Sequence, residues 1–486
     1  MTKEIRRLSI IVVFMFVALF ASTSIIQVVN QNSLASDPNN RRTLYDSYEV
    51  RRGAIVAGGE QIARSQSTDD LYAFQRLYAD PEIWSGVTGW YNPALGSATG
   101  LERALNAELS GLADSAFFAR IEQVVTGQAP RGSSIEISLD PAVQRAAWEA
   151  MTNAGYTGAV VAIEPDTGRL LALVSTPGFD ANQLAVHDSE AANTAYESLE
   201  GAPNSPLLNN ATANVYPPGS TFKVLVAAAA LESGEYTAES TFPNKAAYTL
   251  PGTSFDVTNA TGGTCGGGDE VTLATAISLS CNVPMAELAV ELGDDAIREQ
   301  AERFGYNSEF SFPLSLAASS YPDELSDDQT GQTGFGQGPV TSTPLEVAMT
   351  TAALANDGVL MEPTLVDQVL ADDLTVQEQY SPRERGRSVD SDVADSVTEM
   401  MVASVQSGAA TGARIEGVDV AGKTGTAENG GDAPYTLWFT GFAPADDPEV
   451  AVAVVVEDGG GMGQQGSGNT IAAPIAKKVM EAVLAQ

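Results

Sequence analysis

The stretch from Leu8 to Val29 constrains this chain more than any other. Its centre, Ile10 to Ala21, is an unbroken apolar run, followed by Ser22, Thr23 and Ser24 and then Ile25 and Ile26. At ~1.5 Å of rise per helical residue, the whole stretch matches the ~30 Å hydrocarbon layer of a bilayer. Lys3, Arg6 and Arg7 precede it and favour an amino terminus on the inner side, while Arg41 and Arg42 follow it and weaken that bias. The rival reading is a cleaved signal peptide, because small residues cluster around Ala21 to Ser24. Either reading sends the rest of the chain outside the membrane. The segmentation that follows is a cytoplasmic tail at 1–7 and an anchor at 8–29.

What remains is too long for one ordinary core and suggests two or three domains. Apolar residues make up 44% of the chain, enough to build sizeable cores. The 25 Lys and Arg stand against 62 Asp and Glu, a formal charge of −37. A nucleic-acid partner is thereby excluded, since phosphate binding needs a basic face. Two cysteines occur, Cys265 and Cys281. In an oxidising compartment one disulfide is the simple expectation, with two unrelated buried thiols as the alternative. Their spacing is not a zinc pattern.

Residues 31–40 are polar and read as a linker. From Arg41 to Gly132 the sequence is mixed, with Arg52-Gly53, a helical stretch around Gly100 to Leu109, and no catalytic cluster. The pattern changes at Ser133, where Ser-Ile-Glu-Ile-Ser-Leu alternates like a half-buried strand. Asp140-Pro141 then caps a helix running to about Asn153. Gly158–Glu164 and Arg169–Ser175 read as strands joined by the turn Pro165-Asp166-Thr167-Gly168. Near the far end Val418–Thr426, Thr436–Ala443 and Glu449–Glu457 read as three more, before a terminal helix over Ile471 to Leu484. Two early and three late strands with helical sequence between them imply one five-stranded antiparallel sheet flanked by helices, an α+β architecture.

The chemistry is narrowed by elimination. The single histidine, His187, lies in a polar, loop-like setting and reads as a solvated surface residue. A Ser-His-Asp triad would have only this residue to draw on, and a histidine metal cluster is excluded by count. A serine enzyme here needs a lysine as its base. Tyr216-Pro217-Pro218-Gly219-Ser220-Thr221-Phe222-Lys223 supplies both, turning into a helix that is apolar all round and therefore buried. Ser220 and Lys223 are three apart and share a face. Burial lowers a lysine pKa, and the helix amino terminus opposes its charge further. A neutral lysine beside a serine is a general base beside a nucleophile. The bland alternative is a lysine snorkelling from a core helix with Ser220 as a cap. Ser280-Cys281-Asn282 follows between two helical patterns. Lys423-Thr424-Gly425-Thr426 ends the Val418 strand, offering a cation, hydroxyl donors and a glycine that admits a ligand backbone.

In this order, S-x-x-K, S-x-N and K-T-G form the signature shared by penicillin-binding proteins and serine β-lactamases. From Ser133 onward the chain resembles the transpeptidase domain of class B penicillin-binding proteins. Gly158 to Pro165, Gly336-Gln337-Gly338 with Thr343-Pro344-Leu345, Ala421 to Glu428, and Trp438 to Gly441 carry that resemblance beside the three motifs. Arg52-Gly53-Ala54-Ile55 resembles the start of the family's non-catalytic pedestal, which places the pedestal at 30–132 and the transpeptidase domain at 133–486. The short pedestal and Gly100-Leu101-Glu102 are most similar to the actinomycete branch.

The resemblance implies that Ser220 attacks the penultimate D-Ala carbonyl of a peptidoglycan stem peptide ending in D-Ala-D-Ala. Lys223 would take the serine proton, and Ser280 would relay a proton to the leaving D-Ala under the influence of Lys423. Asn282 would hold substrate amide and Lys223, and Thr424 and Thr426 the terminal carboxylate. The N–H groups of Ser220 and Thr426 would form the oxyanion hole. β-Lactams would acylate Ser220. No cofactor or metal is implied. Implied partners are the membrane, a separate glycan polymerase, and division or elongation proteins. A bond between Cys265 and Cys281 would pin the S-x-N loop. The alternatives are a carboxypeptidase or β-lactamase-type hydrolase, and a catalytically silent β-lactam-binding scaffold of the division machinery. No E-x-x-L-N segment stands between Asn282 and Lys423 to position a deacylating water, and no motif is lost.

Overall fold

A computed structural model gives the fold; it describes residues 2–24, 50–113, 131–260 and 262–486. The expected linker at 31–40 and the end of the expected anchor, residues 25–29, lie outside the described residues. Thr2–Ser24 is one helix. Within it Ile5–Ser24 has a mean hydropathy of 2.1, and its 20 residues are long and apolar enough to cross a membrane. Its large side chains point outward all round, Phe14 and Phe20 among them.

The amino-terminal body is built on a six-stranded sheet. Its strands, in spatial order, are Val376–Gln379, Val366–Leu370, Ser134–Ile137, Ile55–Ala57, Glu60–Ser67 and Phe74–Tyr78. Ile55–Ala57 runs parallel to Ser134–Ile137, and the other pairs are antiparallel. The alternation read at Ser133 is real, with Ile135 and Ile137 buried. Its partners are pedestal strands on one side and a hairpin from much later in the chain on the other. The sheet therefore runs through the position where the sequence changes character. The helical stretch expected at Gly100–Leu109 is two short helices, Gly100–Ala104 and Asn106–Leu109.

Arg52 and Glu102, noted separately in the sequence, meet inside this body. Arg52 reaches Glu102 Oε2 at 2.8 Å, Arg76 reaches Oε1 at 2.5 Å, and all three are buried. Burial raises the Glu102 pKa, but the two guanidiniums outweigh it and leave the carboxyl below its usual range.

The second body holds the expected five-stranded antiparallel sheet, ordered Ala421–Ala427, Thr436–Ala443, Val450–Val456, Gly158–Ile163, Leu170–Thr176. Val450–Val456 is buried along its whole length, which is why its sequence does not alternate in polarity. Ala451, Ala453 and Val455 face a core shared with the helix Pro344–Ala355. Val450, Val452, Val454 and Val456 face another, shared with Pro141–Thr152 and Ala472–Leu484. Asp140 caps the Pro141 helix as its sequence suggests, accepting from the Ala142 and Val143 N–H groups. Ala421–Ala427 is left at the sheet edge, beside the helical layer that carries Ser220.

Candidate active site

Tyr216-Pro217-Pro218-Gly219 delivers Ser220 to that edge. The Trp438 indole N–H donates to the Pro217 carbonyl at 3.0 Å, and the Tyr216 ring stands edge-on to Trp438. Tyr216 also donates to Glu457 at 2.7 Å. Gly219 has φ +54°, a left-handed turn that suits glycine. Gly219–Phe222 is a 3₁₀ turn that passes into the buried α-helix Lys223–Glu232. A 3₁₀ turn stacks residues i and i+3, so Ser220 and Lys223 are brought onto one face.

Lys223 is fully buried. Its ammonium donates to the Ser280 carbonyl at 2.8 Å and to Asn282 Oδ1 at 2.7 Å, and lies 3.4 Å from Ser280 Oγ. Lys423, equally buried, donates to the same Ser280 Oγ at 2.6 Å and to the Thr424 carbonyl at 2.9 Å. One hydroxyl thus sits between two buried lysines whose partners are neutral groups. Burial, and then the charge of Lys423, hold the Lys223 pKa well below the usual lysine range. Burial alone pulls Lys423 down to about 7. The neighbouring lysine adds to the burial effect read from the sequence.

Ser280 makes this junction possible by adopting φ +61°, a left-handed conformation that costs a non-glycine residue roughly 1–2 kcal/mol. Its surroundings hold it there. Cys281 is disulfide-bonded to Cys265, and the Asn244 side chain clasps the backbone of Cys265. Asn259 Oδ1 accepts from the N–H groups of both Asn282 and Val283. Asn282 then opens the helix Val283–Leu292, its amide also donating to the Thr258 carbonyl at 3.0 Å. Asn244 and Asn259 were missed in the sequence because an isolated asparagine 20 to 40 residues away gives no local signal.

On the edge strand Lys423 and Gly425 share one face, Thr424 and Thr426 the other. Thr424 is buried and donates to the Ala409 carbonyl at 3.2 Å; Thr426 is half-buried. A Cβ on Gly425 would meet Trp438 at 2.8 Å, the Pro218 carbonyl at 3.1 Å and Thr221 at 3.2 Å, so on this face the glycine admits the protein's own serine turn. One sequence reading needs correction here. His187 is not a solvated surface residue. Its side chain is only 11% exposed, with Nδ1 2.5 Å from Asp70 Oδ2. That bond, ahead of lesser terms, lowers the Asp70 pKa and ties the pedestal hairpin to the second body.

The described site thus brings Ser220, Lys223, Ser280, Asn282, Lys423, Thr424, Gly425 and Thr426 to one edge of the five-stranded sheet. Known proteins share both sequence and shape. Residues 158–481 match the penicillin binding protein transpeptidase domain, and residues 52–135 match the penicillin binding protein A dimerisation domain. The chain is 40% identical to peptidoglycan D,D-transpeptidase PbpA of Mycolicibacterium smegmatis over 100% of its own length and 99% of that protein's. The Mycobacterium tuberculosis PbpA is also 40% identical, with the same coverage. The ceftriaxone acyl-enzyme complex of M. tuberculosis penicillin-binding protein A superposes with a TM-score of 0.87 at 39% identity, covering 90% of this chain and 100% of that one. A D,D-transpeptidase domain from Eggerthella lenta gives 0.77 at 31% identity, covering 90% and 99%. With its whole length matched at this identity and most of it matching the transpeptidase model, the chain belongs to the penicillin-binding protein transpeptidases, in their class B branch.

Proposed function

We propose that the chain is a serine peptidoglycan D,D-transpeptidase that cross-links stem peptides through an acyl-Ser220 intermediate. The observation that carries this reading is the Ser280 hydroxyl held between Lys223 and Lys423, both buried and both with lowered pKa. Neutral Lys223 takes the proton of Ser220, whose Oγ attacks the penultimate D-Ala carbonyl. The tetrahedral oxyanion is met by the N–H groups of Ser220 and Thr426. The proton passes from Lys223 through Ser280 to the nitrogen of the leaving D-Ala, and the C–N bond breaks. An amine from a neighbouring stem peptide then attacks the acyl carbon and frees Ser220. Asn282 orients the donor amide and Lys223, while Lys423, Thr424 and Thr426 hold the terminal carboxylate. β-Lactams present the same carbonyl and carboxylate and acylate Ser220.

In this reading residues 1–7 are cytoplasmic, 8–29 form a single-pass anchor, 30–132 the pedestal and 133–486 the catalytic domain outside the membrane. The basic residues Lys3, Arg6 and Arg7 before the apolar helix support that orientation. Glycan polymerisation falls to a separate partner, within the division or elongation machinery.

The test is product analysis with a D-Ala-D-Ala stem peptide and an amine acceptor. Amide product with one D-Ala released per bond is expected, and Lys223→Ala should abolish both while remaining folded. Free acid as the sole product would make this a carboxypeptidase. A near-normal rate for Lys223→Ala would remove the lysine from the role of base.

A further inference from the structure

Gly336-Gln337-Gly338 has no part in the chemistry above, yet it sits where three pieces of the site meet. Gly336, at φ +73°, lies so close to the serine turn that a Cβ there would collide with the Gly219 carbonyl. Its own carbonyl accepts from the Gly219 N–H at 2.9 Å. On the other side the Gln337 amide meets the backbone of Glu428, two residues past Thr426. Oriented to match, it donates to the Glu428 carbonyl at 3.1 Å and accepts from the Glu428 N–H at 3.0 Å. This is the pair of bonds a neighbouring strand would make, supplied by one side chain just beyond the edge strand's end. The loop is rooted in the helix Asp327–Thr333 by Gly336 N–H to the Thr333 carbonyl and Gln337 N–H to the Gln332 carbonyl. That helix packs on Val283–Leu292, with Gly334 so close to the Met285 carbonyl that no Cβ would fit.

We propose that Gln337 is a positioning residue for acylation. Its amide clamps the end of the Ala421–Ala427 strand to the serine turn, and so fixes the spacing between the Ser220 and Thr426 N–H groups. The clamp rests on reading those two groups as the oxyanion hole. Gly425, with no side chain to meet the Pro218 carbonyl, lets strand and turn come close. Gln337 sets the angle of the strand's far end, where Thr426 sits. A loose clamp lets the two donors drift apart at the Thr426 end, while Lys423 and Thr424, further back along the strand, keep their hold on the carboxylate. The expected signature is a slower chemical step with unchanged initial binding.

The experiment uses the full chain and a chromogenic penicillin in stopped flow, which separates noncovalent binding from the acylation rate constant. Gln337→Ala is expected to lower that rate constant by about tenfold to a hundredfold. Noncovalent affinity and Tm should stay close to wild type, and hydrogen exchange at the Glu428 amide should quicken. Gln337→Glu keeps the length and the acceptor but loses the donor, and should fall in between. An acylation rate within twofold of wild type, or unchanged exchange at Glu428, overturns the clamp. Should Gln337→Ala not fold, Gln337→Glu decides: wild-type acylation overturns the proposal, and a slower rate at equal affinity supports it. Loss of the Ser220 adduct in wild type would instead remove the oxyanion reading, and exchange at Glu428 would still report on the clamp.

Discussion

Replacing Lys423 by Met should move the pH at which Ser220 becomes reactive. Both lysine ammoniums reach one Ser280 hydroxyl, at 3.4 and 2.6 Å, so their nitrogens are at most about 6 Å apart. At an effective dielectric of ~20, two unit charges at ~6 Å repel by about 3 kcal/mol, or about two pKa units. The repulsion is mutual and eases the first deprotonation of the pair; burial and the charge of Lys423 hold Lys223 well below the usual lysine range. Acylation needs neutral Lys223 and therefore rises with pH through the lower of the two transitions. Without the Lys423 charge, Lys223 keeps its proton to higher pH. The assay is the second-order rate of β-lactam acylation from about pH 5 to 9. Its amplitude will fall in Lys423→Met because a carboxylate partner is lost; the informative quantity is the position of the acid limb. That limb should move upward by about two units. Burial alone gives the opposite sign, since methionine makes the site drier. A limb that stays in place or moves downward would refute the coupling between the two lysines.

Three further outcomes follow from contacts outside the chemistry. Converting Cys265 and Cys281 to Ser opens a loop of sequence separation 16 and should cost about 3 kcal/mol in denaturant unfolding; two alkylatable thiols in native protein from the envelope would show the bond absent. Glu102→Gln leaves the Arg52 and Arg76 guanidiniums buried without their counter-charge, a loss of about 3–5 kcal/mol by urea titration, and a cost below about 1 kcal/mol would contradict the paired arrangement. Glu346 is buried and its carboxyl is pushed up to about 8, with Arg385 only partly offsetting burial. Because the folded pKa lies above the unfolded 4.5, its contribution is full below about pH 4.5 and is lost as pH rises through 8. Glu346→Gln should remove a decline of roughly 4–5 kcal/mol in that window, and an unchanged slope of stability against pH would count against it.

The catalytic sheet was legible because its information is local. Buried runs such as Val450–Val456 and the turn at Pro165–Gly168 each announce a strand or a hairpin without reference to anything distant. The site was legible for a different reason: with one histidine in the chain, a serine enzyme needed Lys223, and three short motifs supplied the rest. The pedestal sheet was not legible. Ile55–Ala57 has three residues, Glu60–Ser67 is largely exposed, and the parallel pairing of Ile55 with Ile135 closes across a long stretch of chain. His187 was misread because its partner Asp70 is 117 residues away. At Gly425 a glycine in a strand signals close approach without saying of what, and the serine turn beside it could not be read from the sequence. Strand edges fell within a residue or two except at Val418, where the strand starts at Ala421.

The central claim is that Ser220 becomes covalently acylated. Intact mass after incubation with penicillin, for the full chain and for Ser220→Ala, tests it most directly. Wild type should gain the mass of one β-lactam and keep it for hours, as a transpeptidase should, and Ser220→Ala should gain nothing. An adduct that persists in Ser220→Ala, or no adduct on wild type, would contradict it.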